Sequence, residues 1–246
     1  MSGSPAVFEV RPATELDVSR MAELDRRAFA GLGMGCYGES YVRCWLEVNP
    51  EGLLVAWHGD VAVACCYSQY VDFSPADVAS LTTDAEFTDS AFTRKTHRSD
   101  GNSIHVVTVS SVVPGGRRAL FEALNRQLVA QGRDYLILFS RIAGFDGYCR
   151  MLAERGALDV NSTTLERIAR WYVVQCATQY GARVWSEVTR EDLSLPPPAA
   201  PDPVLNKYLK DPGAAVAAVL KDWIEDPASC KFGVLVAAAN PRVSSQ

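Results

Sequence analysis

The residues best suited to chemistry lie at one seam. In VVTVSSVVPGGRRALFEALNRQLVAQG (Val106 to Gly132) an apolar run stops at Pro114, and Gly115, Gly116, Arg117 and Arg118 follow. Helical spacing then begins at once, with Leu120, Phe121, Leu124 and Leu128 forming a buried stripe. A helix N-terminus offers about four unpaired N–H groups and roughly half a positive charge. Glycines let a bulky phosphate reach those amides, and arginines add bidentate donors. The chemistry this pattern suits is the seating of a pyrophosphate. A tight turn carrying two solvated arginines is the alternative.

A second cluster, Gly33-Met34-Gly35-Cys36-Tyr37-Gly38, matches G-x-G-x-x-G letter for letter. The dinucleotide fingerprint needs a strand before it, and here a helix precedes it, so a helix–helix loop that adapts to a substrate fits better. Seven cysteines, odd in number and irregularly spaced, include no C-x-x-C and no histidine at metal-ligand spacing, so neither a disulfide framework nor a metal is expected. The 246 residues are 48% hydrophobic and 22% charged, with net charge −5, which argues against a nucleic-acid surface. No run of eighteen apolar residues suggests a membrane span. The N-terminal residues lack a basic region followed by an apolar core, so a cytoplasmic location is expected.

The elements that must position the seam follow from periodicity. Val7 to Ala13 alternates as a strand; Thr14 caps a helix, with Asp17 three residues on, and Val18, Met21, Leu24, Ala28 and Phe29 mark its buried face. A second helix is predicted over Glu39 to Val48, then a hairpin of Leu53–Trp57 and Val61–Val71 around Gly59-Asp60. Ser74 to Ser103 reads as a long polar loop with one helical turn, followed by a strand over Ile104–Val113. After the seam helix come a buried strand at Asp134–Ser140 and a helical excursion with Leu165, Ile168, Tyr172, Cys176 and Gln179 on one face. The proline-rich stretch Ser194–Pro203 reads as a crossing loop, and a short helix and two strands (AAVAAVLKDWI and FGVLVAAA) close the chain.

This order resembles the GNAT superfamily of acyl-CoA-dependent N-acyltransferases, most closely its longer bacterial members. VTVSSVVPGGRRALFEAL is similar to the family's central strand, pyrophosphate turn and helix. TTDAEFTD and THRSDGNSIHVVTVSS resemble the loop and strand start of the longer members. DPVLNKYLKDPGAAVAAVLKDWIEDPASCKFGVLVAAANP is similar to their closing helix and strands, through Asn240-Pro241. The family's turn usually reads Arg/Gln-x-x-Gly-x-Gly/Ala; here its first half is missing.

The resemblance implies a mixed, mostly antiparallel α/β sheet flanked by helices. It implies one domain over residues 1–246, with a helical and proline-rich insert at about 141–203. It implies acetyl-CoA or another acyl-CoA as co-substrate, no metal, and direct transfer to the amine of a small molecule. Ser111, Val112 and Val113 would hold the pantetheine arm, and Gly115, Gly116, Arg117 and Arg118 the pyrophosphate. Tyr208, five residues before Gly213, would protonate the leaving thiolate. Base candidates are His97, Glu86 and Glu39; Tyr37, Glu39 and Tyr41 would line the acceptor pocket. A homodimer, without nucleic-acid or membrane partners, completes the expectation. Two other readings stay open: a non-catalytic GNAT-like module binding an acyl-CoA or small ligand, and a thiol enzyme using Cys36 with His105.

Overall fold

A computed structural model describes residues 7–30, 36–156, 162–186 and 188–243. Gly33, Met34 and Gly35 of the second glycine cluster lie outside the described residues. The chain divides into two compact units: 1–73, 88–136 and 240–246 form the first, and 74–87 with 137–239 the second. Among the described residues, eight strands, mostly antiparallel and flanked by helices, make up a mixed α/β fold.

In the first unit, β1 (Glu9–Pro12), β2 (Leu53–His58), β3 (Val61–Val71) and β4 (Ser103–Ser111) lie side by side in chain order, all antiparallel. The predicted hairpin closes at Gly59, whose φ of +59° suits a residue without Cβ. Before α1 (Val18–Ala28), the buried Asp17 accepts from the amide and hydroxyl of Thr14 and from Arg11. Val18, Met21 and Leu24 of α1 and Val42 and Trp45 of α2 (Glu39–Val48) share one core with Leu53, Val55, Cys65 and Tyr67. The opposite face carries α4 (Gly116–Ala130), which buries Leu120, Phe121, Leu124 and Leu128 as its spacing predicts. Neighbouring residues of a strand face opposite ways. Accordingly, Cys65 approaches the α1 carbonyl of Met21, and Ala64 packs at the start of α4.

Several strands fall short of expectation: β1 covers Glu9–Pro12 of the predicted Val7–Ala13. β4 stops at Ser111 rather than Val113. In the second unit, β7 (Ala214–Leu220) stops before the predicted Ile224, because Asp222 turns left-handed (φ 53°) and the N–H groups of Trp223 and Ile224 fold back onto the Lys231 carbonyl. The second unit orders its strands as β5 (Tyr135–Arg141, from Ile137 onward), β8 (Gly233–Ala239), β7 and the two-residue β6 (Arg183–Val184). Its segment 74–87 holds a 3-10 turn, Pro75–Ser80, and a single helical turn, α3 (Asp84–Phe87), in the stretch read as a long loop with one helical turn.

The helical excursion is two helices, α5 (Phe145–Glu154) and α6 (Ser162–Gln179). The proline-rich stretch is not free chain. Tyr148 Oη donates to the Pro196 carbonyl and Gln179 to that of Pro198. The fully buried Asp202 accepts from Gly144 N, from Tyr172 Oη, and from the amides of Val204 and Leu205 that open α7 (Leu205–Leu209).

Candidate acyl-CoA site in the first unit

At the end of β4, the Ser111 hydroxyl donates to the Val113 carbonyl (2.9 Å), and the Val112 N–H is committed to Val63 of β3 (3.1 Å). Of the three residues expected to hold a pantetheine arm, Val112 thus spends its amide on the sheet. Gly115 then takes φ +89° and α4 starts at Gly116, whose own N–H reaches Val113 O only at 3.4 Å. A side chain at either glycine would be crowded. A Cβ on Gly116 would lie 2.9 Å from Ser111 Oγ and 3.0 Å from Ala64 Cβ; one on Gly115 would lie 3.0 Å from the Phe8 ring. Arg118 is exposed and paired with Glu122 one turn along (2.8 Å), while the Arg117 guanidinium sits 5.3 Å from the Phe121 ring centroid.

A feature the sequence does not advertise lies earlier in β4. Tyr67 pairs with Thr108 and Ser68 with Val106, so Val107 is an extra residue with no partner on β3. Bulges re-aim backbone groups and recur beside active sites. Here residues 107 to 109 are half-buried, whereas 103 to 106 and 110 are buried, so the strand is accessible where its ladder is interrupted. VVTV has no glycine or proline to mark the spot.

Val107 and Val112 border the same core cluster as Tyr37 and Tyr41, two of the expected acceptor residues. The Tyr37 ring meets Tyr41 edge-on at 5.1 Å and Trp45 at 5.2 Å, and Tyr41 stacks on Phe92 at 4.4 Å. Beneath them Trp45 stacks on Tyr67 at 4.7 Å. The third expected residue is directed elsewhere: Glu39 accepts from Ser19 (2.6 Å) and from Arg43 (3.3 Å).

Segment 88–97 closes over this aromatic cluster by a costly route. Asp89, Ser90, Ala91 and Thr93 all have left-handed φ between 51° and 68°, without one glycine. Trp45 Nε1 donates to Ala91 O (2.6 Å), Tyr67 and Thr93 share a hydroxyl–hydroxyl bond (2.7 Å), and the Thr88 hydroxyl accepts from Ala91 N (2.9 Å). Burial pushes the Tyr67 hydroxyl well above the ordinary tyrosine range.

Asp25, on α1, was not singled out from sequence. Its carboxylate accepts the Ser110 hydroxyl at 2.7 Å and the Tyr37 N–H at 2.6 Å, which ties the chain entering α2 to β4. Burial raises its pKa above the usual aspartate value, against those two bonds.

The expected base, His97, accepts the Tyr70 N–H on Nδ1 (3.2 Å), so its neutral ring carries the proton on Nε2. Burial and the Arg133 charge hold its pKa below the ordinary value. His105 is fully buried, bonded through Nδ1 to Gln69 Nε2 (3.2 Å), and pushed down to about 3 by burial. Cys36, its partner in the thiol-enzyme reading, is exposed. Glu86 and Tyr208 belong to the second unit: Glu86 is exposed and bonded to Thr82, and Tyr208 is half-buried on α7. Among the described residues no three His, Cys, Asp or Glu side chains are grouped as a metal site, and no helix is long and apolar enough to cross a membrane.

Comparison with solved structures agrees with this architecture. The chain is similar to the GphF GNAT-like decarboxylase in complex with isobutyryl-CoA, with TM-score 0.64 and 16% identity over 94% of this chain and 99% of that one. It is similar to the loading GNATL domain of CurA from Lyngbya majuscula, with TM-score 0.63 and 16% identity over 96% of this chain and 99% of that one. The chain therefore has the GNAT fold, as its element order implied. No protein-family model and no curated protein matches the sequence.

Proposed function

We propose that this chain binds an acyl-CoA and transfers the acyl group, acetyl in the simplest case, directly to the amine of a small molecule. One observation carries the reading. A bulged strand runs into a helix whose start is opened by two glycines where a Cβ would be crowded, in a fold shared with a protein solved in complex with isobutyryl-CoA. The amides opening α4, with Arg117 and Arg118, receive the diphosphate. A backbone N–H of the bulged 107–109 segment polarises the thioester carbonyl and stabilises the oxyanion formed on attack.

An alkylammonium group, with a pKa near 10.4, sheds its proton before its nitrogen attacks the carbonyl carbon. The nitrogen then loses its second proton as the C–S bond breaks and the thiolate takes one up, so the net transfer is of one proton from nitrogen to sulfur. His97 presents Nε2–H when neutral, so it serves as a hydrogen-bond donor at neutral pH and accepts a proton only if the Tyr70 bond to Nδ1 is released.

The likeness to a GNAT-like decarboxylase favours a second reading. On a malonyl-type CoA the same carbonyl donor stabilises an enolate as CO2 leaves, and the thioester survives. The test is binding of acetyl-CoA by calorimetry, followed by two product assays. Free CoA thiol released only with an amine supports transfer; CO2 release with the thioester intact supports decarboxylation. Binding with neither product leaves a non-catalytic acyl-CoA module. Arg117→Ala with Arg118→Ala is expected to weaken binding by about tenfold or more; unchanged affinity would place the diphosphate elsewhere.

A further inference from the structure

We infer that the acceptor is an arylalkylamine, seated on the half-buried rings of Tyr37, Tyr41 and Phe92. The inference rests on the transferase reading and names the substrate class of that same site. These three rings are contiguous, with centroids 5.1 and 4.4 Å apart, and come from two separate segments, the start of α2 and segment 88–97. The stacked, buried Trp45 and Tyr67 support them from below, and the cluster they join is bordered by Val107 of the bulge. A strained loop is held in place there by hydrogen bonds from that floor, and its effect is to place Phe92 flat against Tyr41.

The choice of acceptor follows from what the rings offer and what the neighbouring charges do not. Aromatic faces and edges favour a flat aromatic group by stacked or edge-on contact, and they tolerate one ammonium charge. A polyamine or amino sugar needs carboxylates for its further charges. Those carried by the same segments are engaged, Glu39 by Ser19 and Arg43, Glu47 by Arg94 and Asp89 by Lys95, as is Asp25 of α1, by Ser110 and the Tyr37 amide. One aromatic ring on a short amine arm matches this inventory.

The experiment measures phenethylamine and spermidine binding to the full chain by calorimetry without CoA, then acetyl transfer to each. Phenethylamine is expected to bind at least about tenfold more tightly than spermidine. Tyr41→Leu and Phe92→Leu are each expected to weaken phenethylamine binding about fivefold or more while acetyl-CoA affinity stays within twofold. The retained acetyl-CoA affinity shows that each variant is folded. Equal or tighter spermidine binding, or phenethylamine affinity within twofold of wild type in both variants, overturns the inference. Phenethylamine binding as expected, without acetyl transfer, upholds the aromatic seat and rejects the transferase reading.

Discussion

Two stretches of the first unit turn left-handed, and they do so by opposite means. At the seam, Gly115 takes φ +89° at little cost and α4 opens cleanly behind it. In segment 88–97, four residues with side chains take the same region of backbone space, each at a cost of order 1–2 kcal/mol. The seam is held by the absence of atoms: a Cβ at Gly115 or Gly116 would crowd Phe8, or Ser111 and Ala64. The loop is held by added contacts, from the Trp45 indole, the Tyr67 and Thr88 hydroxyls, and Thr96, which donates to Gln69. A glycine turn leaves backbone amides accessible to a ligand. A strained, well-tied loop delivers side chains at fixed positions instead, here Phe92 against Tyr41. In the proposed function, backbone recognition and side-chain recognition therefore occupy two different kinds of turn.

The comparison breaks most visibly at Trp45. Trp45→Ala removes a fully buried ring, its stack on Tyr67 and its bond to Ala91, and should lower stability by about 4 kcal/mol in urea unfolding. Trp45→Phe keeps most of the packing and loses the indole N–H, for about 1–3 kcal/mol. If the loop is held as described, limited proteolysis within residues 88–97 should accelerate in both; unchanged cleavage there would show that the indole does not hold the loop.

Acid should loosen the far end of the same loop. Thr96 donates to Gln69, and Gln69 donates to Nδ1 of buried His105. The folded protein holds His105 neutral down to a pKa of about 3, against an ordinary 6.5, so below pH 6.5 the unfolded chain binds a proton that the folded chain refuses. The stability this provides is complete above pH 6.5 and is lost as pH falls toward 3, about 3 kcal/mol of it between pH 7 and 4. His97, also depressed, adds in the same direction. Unfolding free energies measured across that range should fall toward low pH, and His105→Gln should flatten the curve.

Gly115→Ala is the mirror experiment at the seam. A methyl group at φ +89° and 3.0 Å from Phe8 should cost about 1–2 kcal/mol and weaken acetyl-CoA binding, because the strain is relieved by moving the amides that open α4. A stable variant with full affinity would detach the glycine from the ligand.

The difference between the two turns also explains what the sequence made legible. The seam announced itself because glycine, proline and arginine are chemically distinct letters and the helical stripe behind them is periodic. Helices α1, α2 and α4 and the hairpin were readable for the same reason. The bulge at Val107 was not, since an extra valine among valines changes no pattern and only the pairing with Ser68 and Tyr67 exposes it. Nor was segment 88–97: its conformation is dictated by tertiary partners more than forty positions away in Trp45, against the preference of its own residues. Glu39 was read as an acceptor residue from its place after the glycine cluster; that helical position also brings it within reach of Ser19 and Arg43 was not visible there.

The finest test uses that conflict between local preference and global structure. Ser90 is exposed and has a φ of 54°, and its side chain has no part in the contacts to Trp45 or Tyr67 described above. Glycine there would shed the left-handed penalty of about 1–2 kcal/mol and give back about 0.5–1 kcal/mol through the greater freedom of the unfolded chain. Ser90→Gly should therefore raise stability by about 0.5–1 kcal/mol, the reverse of Gly115→Ala, when both are followed by urea unfolding. If the loop's strain positions Phe92 through its tertiary ties and not through Ser90 itself, phenethylamine affinity should not change. A gain in stability accompanied by weaker amine binding would instead show that rigidity at Ser90 is part of how the aromatic ring is presented.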